Sequence, residues 1–166
     1  TKEAYELLAG SLAAQPEQPE LLYESALLAE KLGRHEAMEA SLRKLIRLKP
    51  EHAHAYNALG YSFAERNQRL EEAEQLVVKA LQLSPDDPFI IDSMGWVLYR
   101  KGDNEGALTH LQRAFSIRPD PEIAAHLGEV LWALGRRDEA KRIWQEAAKV
   151  HPGNEVLAEV IKRFAP

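Results

Sequence analysis

The sequence predicts an all-α chain, an α-solenoid of stacked antiparallel helix pairs with a C-terminal capping helix. Three observations carry this. Apolar residues recur at three- and four-residue spacing and nowhere in strand-like alternation. Prolines recur at Pro16, Pro50, Pro85, Pro119 and Pro152, at intervals of 34, 35, 34 and 33 residues. Between successive prolines stands one turn-forming residue, Gly33, Asn67, Gly102 or Gly135. A period of this length marks a unit that cannot bury its apolar stripe alone and must stack on copies of itself.

The clearest unit runs from Pro88 to Pro119. Its first helix places Ile91, Met94, Gly95 and Leu98 on one stripe, and its second places Ala107, Leu111 and Ala114 likewise. Gly102 supplies a left-handed end to the first helix, Asp103 or Asn104 can cap the second, and Pro119 stops it. The motif Ile91-x2-Met94-Gly95-x2-Leu98, followed by Ala107-x3-Leu111 and Pro119, resembles the tetratricopeptide repeat (TPR) pattern. The resemblance covers nearly the whole chain and implies a TPR superhelix whose first helices line a concave wall.

In order along the chain, Ala4-x3-Leu8 with Pro16 matches only the second half of a unit. Residues 1–16 are therefore expected to be the second helix of a truncated upstream repeat, within a single array spanning 1–166. Full repeats follow over 19–52, 53–87, 88–120 and 121–152. In the first, Met38 and Leu45 stand where the others carry small residues, which predicts wider packing. The second carries an extra residue in its turn, and Asn67 replaces glycine there as the side chain that best tolerates a left-handed backbone. Asp87-Pro88 and Asp120-Pro121 read as a cap followed by proline at the first helical position. The stretch 154–165 carries Val156, Leu157, Val160, Ile161 and Phe164 and is expected to cover the last apolar face.

Composition removes several function classes. A formal net charge of −5 opposes nucleic acid as a partner, because phosphate neutralisation needs a basic face. The run Arg136, Arg137, Lys141, Arg142 reads as a solvated turn and helix start. Zero cysteines remove thiol chemistry and cysteine zinc sites. No apolar run is long enough for a membrane span. Phosphate loops, HExxH and GxSxG are absent, His52 and His54 lack a third ligand, and His126 is expected to form an exposed pair with Glu122. No enzyme activity, cofactor or metal is expected.

A binding surface is the remaining class. The stripe opposite Ile91 and Met94 holds Phe89, Asp92, Trp96, Tyr99 and Arg100. By register, Tyr23 and Leu27 stand there in the first repeat, Asn57 and Tyr61 in the second, and Glu129 and Trp132 in the fourth. These residues predict a peptide-binding groove, with Trp96 groove-facing and Tyr99 and Trp132 equally able to wedge between repeats. TPR grooves that capture chaperone C-terminal carboxylates use a lysine and asparagine pair in their first repeat. Tyr23 and Leu27 do not supply it.

The wording of residues 56 to 150 is similar to the C-terminal arrays of proteobacterial TPR lipoproteins that act as adaptors for a carboxyl-terminal processing protease. That resemblance implies a periplasmic protease adaptor at the outer membrane, binding a peptide or helix of its partner. The alternative is a structural array that self-associates through Tyr5, Leu8 and Leu12.

Overall fold

The computed structural model describes residues 1–166, all of them in helices and short turns. Ten α-helices follow in order: α1 (Lys2–Ala14), α2 (Pro19–Lys31), α3 (His35–Leu48), α4 (Ala53–Glu65), α5 (Leu70–Leu83), α6 (Pro88–Arg100), α7 (Asn104–Ile117), α8 (Pro121–Ala133), α9 (Arg137–Val150) and α10 (Glu155–Phe164). The single array drawn from the sequence divides into two compact units, Thr1–Ser84 and Pro85–Pro166.

In the first unit α2 pairs with α3 and α4 with α5, while α1 lies on α2 and both α2 and α3 reach α4. In the second, α6 pairs with α7 and α8 with α9; α6 and α7 both reach α8, and α10 covers α8 and α9. Within each unit the first helix of a pair thus meets its own partner on one face and a neighbouring pair on another.

The turn inside each pair is a Schellman motif. After α6, the Gly102 amide donates to the Tyr99 carbonyl (3.0 Å) and the Asp103 amide to the Leu98 carbonyl (2.9 Å). After α4, Asn67 takes the left-handed conformation at φ 54° and makes the same two bonds through Asn67 and Gln68. The extra residue of that turn is absorbed by Arg69, also left-handed at φ 46°. Its guanidinium donates to Glu39 (3.0 Å) and lies over the Phe63 ring.

Helix starts follow the capping residues. Asp87 accepts from the amides of Phe89 and Ile90, Asp120 from Glu122 and Ile123, Asp103 from Gly106, and Asn154 from Leu157. His52 does the same work with a ring nitrogen, Nδ1 accepting from the Ala55 amide (3.0 Å).

Packing inside the pairs is set by missing side chains. A Cβ on Gly60 would stand 2.7 Å from Val77, and one on Gly95 would stand 2.7 Å from Leu111. At Gly128 it would enter the Trp144 indole, which is fully buried and donates from Nε1 to the Ala125 carbonyl (3.3 Å). In the first pair Ala26 takes this position, and Met38 and Leu45 are both buried.

Two expectations are corrected at the ends. Tyr5, Leu8 and Leu12 are not an open face: all three are half-buried, α1 packs on α2, and Arg34 lies 5.0 Å from the Tyr5 ring. Leu7 is the exposed one, at 75%. In α10, Leu157 and Val160 are buried while Val156 is exposed, because it falls outside the stripe facing α8 and α9.

Gly128→Ala is expected to destabilise folding by about 1–3 kcal/mol, the usual cost of overpacking a full core. Gly10→Ala, whose added methyl meets nothing within 4 Å, is expected to be neutral or to stabilise by up to ~1 kcal/mol. Urea denaturation followed by circular dichroism compares them; equal losses would overturn the close-contact account.

Candidate peptide-binding faces

In the Thr1–Ser84 unit the candidate residues sit on the two first helices, α2 and α4. Pro19 starts α2, and the His52 cap starts α4. Tyr23 lies 5.2 Å, ring centre to ring centre, from His52. Tyr23, Glu20, Glu24, Lys49, Glu51 and His52 wall an open cleft of about 400 Å³. Leu27 is 40% exposed one turn further along α2. Tyr61 is half-buried, as is Asn57, whose Oδ1 has no hydrogen-bond donor. The two helices are tied beyond this face, where Ser62 donates to Glu30 (2.8 Å) and Arg66 donates to Ser62.

The Pro85–Pro166 unit treats its candidates differently. Trp96 is 4% exposed, and its indole stacks on the His126 ring at 4.1 Å with an interplanar angle of 24°. Tyr99 lies against the same indole at 5.0 Å, and the Arg100 guanidinium stands 5.3 Å from its centre. Asp92 is 6% exposed and accepts from His126 Nδ1 (2.9 Å). Glu129, at 7%, accepts from Arg163 (3.0 Å). Trp132 is half-buried, stacked toward Trp144 (5.9 Å) and tilted against Phe164 (5.8 Å). Phe89 alone keeps an exposed ring, at 39%, beside Arg118.

The groove-facing expectation for Trp96 is therefore overturned, and Asp92 and Glu129 are likewise buried. The reason is geometric. The stripe opposite the pair's own core meets the first helix of the next pair, since α6 packs on α8 and α8 on α10. The exposed His126–Glu122 pair is replaced by the His126–Asp92 bond, in which both side chains are largely buried.

Sequence reasoning gave His126 the wrong carboxylate and did not see the contact of Arg163 with Glu129, yet a signal for both existed. Asp92 and His126 are 34 residues apart, and so are Glu129 and Arg163. Complementary polar groups one repeat apart share a register and meet when the repeats stack.

Two pKa shifts follow from this packing. Burial, reinforced by the Glu129 carboxylate that its hydroxyl bonds, pushes the Tyr99 phenol up. Glu122 is also pushed up: desolvation acts first, then the Asp120 charge and more weakly Asp92, with His126 opposing.

A carboxyl whose folded-state pKa lies above its unfolded value stabilises the fold while protonated. That contribution is complete below the unfolded value and is lost as pH rises through the folded one. Glu122→Gln is thus expected to raise the melting temperature at pH 7 and to leave it unchanged near pH 3.5. A gain of equal size at both pH values would contradict this origin. His126→Ala leaves the buried Asp92 without its donor and is expected to cost about 1–3 kcal/mol. Chemical denaturation followed by circular dichroism measures that cost.

Comparison with known proteins agrees with the helix pairing. Residues 25–88 and 98–162 each match the tetratricopeptide repeat family. A TPR repeat-containing protein of Pseudomonas aeruginosa is 46% identical over 128 residues, which are 77% of this chain and 22% of that protein. The chain spans about a fifth of the length of the curated relatives it matches, 22% and 23%. A thermophilic TPR protein of Thermus thermophilus superposes with a TM-score of 0.84 at 25% identity, over 98% of this chain and 87% of that one. YrrB, described as a TPR protein with an unusual peptide-binding site, superposes with a TM-score of 0.67 at 22% identity, over 96% and 84%. The chain belongs to the tetratricopeptide repeat family.

Proposed function

We propose that this chain is a protein-interaction scaffold that holds a peptide or helix of a partner protein on the α2–α4 face of its first unit. One observation carries the reading. On that face the Tyr23 cleft is open and Leu27 is exposed beside it, whereas the matching residues of the second unit are spent on internal stacking. An apolar side chain of a partner fits against Tyr23 and Leu27, and the carboxylates of Glu20, Glu24 and Glu51 border the same cleft. Asn57 adds an amide whose oxygen lacks a donor.

The TPR fold is consistent with such a scaffold, and one protein of the same fold is described as having a peptide-binding site. No helix is long and apolar enough to cross a membrane. Within this reading the partner is a carboxyl-terminal processing protease and the compartment the periplasmic side of the outer membrane. The resemblance of residues 56 to 150 to the adaptor arrays supports both.

Self-association is a second reading, supported by the 75% exposure of Leu7 on α1. Light scattering across a concentration series distinguishes it, with Leu7→Glu expected to abolish any concentration-dependent mass.

Titration of the purified protease onto the immobilised chain tests the first reading. Leu27→Asp and Tyr23→Ala are each expected to weaken binding at least ~10-fold, the loss of one well-placed contact. Unchanged affinity in both variants would remove the α2–α4 face. A protease that fails to bind the unaltered chain would remove the adaptor role.

A further inference from the structure

The helix caps of this chain are of two chemical kinds. Asp87, Asp103, Asp120 and Asn154 accept from the amides of their helices through side-chain oxygens, which go on accepting throughout the neutral range. His52 accepts through Nδ1, from the Ala55 amide at 3.0 Å. A ring nitrogen accepts only while it carries no proton, and imidazole is the side chain that ordinarily changes its charge between about pH 5 and 8. The doubly protonated ring has two donors and no acceptor, so it cannot cap a helix.

The start of α4 is poorly equipped to hold a charged ring where the neutral one stands. Its first turn carries no acidic residue, and an imidazolium there opposes the positive pole of the helix. Carboxylates are offered instead by the cleft that His52 helps to wall: Glu20 and Glu24 on α2, and Glu51 in the turn before α4. Lys49, just past α3, is the one cation on that wall, and α5, the pair partner of α4, brings no residue to it. On α4 itself Tyr56 is held to the Pro50 carbonyl (2.8 Å) and His54 is exposed. The Tyr23 ring lies 5.2 Å from the imidazole and is tilted by 43°, so a movement of the imidazole reshapes the space beside Tyr23.

We propose that protonation of His52 switches the Tyr23 cleft between an open and a filled state. While neutral, the ring caps α4 and leaves the cleft open. On taking a proton from solvent it lets go of the Ala55 amide, turns toward the carboxylates of Glu20, Glu24 and Glu51, and fills the space beside Tyr23 that an apolar side chain of a partner would take. The α2–α4 face thus holds its partner above neutral pH and releases it as the pH falls. The effect on a partner rests on the reading of that face given above, whereas the movement of the ring stands without it.

The test uses the whole 166-residue chain and its His52→Asn variant, in which an amide oxygen caps α4 and does not titrate. Hydrogen exchange of the Ala55 amide is followed by NMR and expressed as the rate in the unaltered chain over the rate in the variant, which cancels the intrinsic pH dependence of exchange. That ratio is expected to rise at least ~5-fold from about pH 7.5 to about pH 5.5, the effect of losing one ordinary cap. The Gly106 amide, capped by Asp103, is expected to keep one ratio at both. Affinity for the purified carboxyl-terminal processing protease is expected to fall over the same range by a similar factor more in the unaltered chain than in His52→Asn. A constant ratio at Ala55 would overturn the switch whatever the protease does. A rising ratio with equal loss of affinity in both chains would overturn its control of the cleft. A protease that binds neither chain at either pH would remove the adaptor role and leave the exchange ratio to decide the switch.

Discussion

The distance between the two helices of a pair is the constraint on which the rest of this structure depends. At Gly60, Gly95 and Gly128 the second helix comes so close that a single added carbon would collide with Val77, Leu111 or Trp144. Close approach is what lets short helices of 13 or 14 residues, too short to be stable alone, bury continuous stripes. At the end of the second unit α10 lies on α8 and α9, and Lys162, 34 residues after Gly128, is exposed.

The second consequence concerns polar groups. Once repeats stack at a fixed spacing, residues one period apart face each other whether or not they are apolar. Asp92 with His126, and Glu129 with Arg163, are buried or part-buried pairs of that kind. Each removes a charge from the surface that the family's geometry would otherwise present to a ligand. The two units therefore differ in what their first helices offer: the first keeps an open cleft at Tyr23, and the second spends Trp96, Asp92 and Glu129 on its own cohesion.

Much of this was legible beforehand. Left-handed ends at Gly33, Asn67, Gly102 and Gly135, and caps at Asp87, Asp103 and Asp120, are local demands of the backbone, met by residue types with a physical reason to be there. What could not be seen was how a helix apportions its two sides. Stripe analysis of α6 separates one apolar face from the remainder, and Trp96 fell in the remainder. It has no means of telling a ligand-facing indole from one wedged against His126 of the following pair.

The sequence by itself determined the helices, their pairing and their period, because these rest on backbone conformation and on apolar spacing, both local properties of the chain. Only the tertiary structure decided which side chains remain available to a partner. Availability depends on what the neighbouring pair brings into contact, and burial of Trp96 beside exposure of Leu27 is a result of packing between elements more than thirty residues apart in the chain.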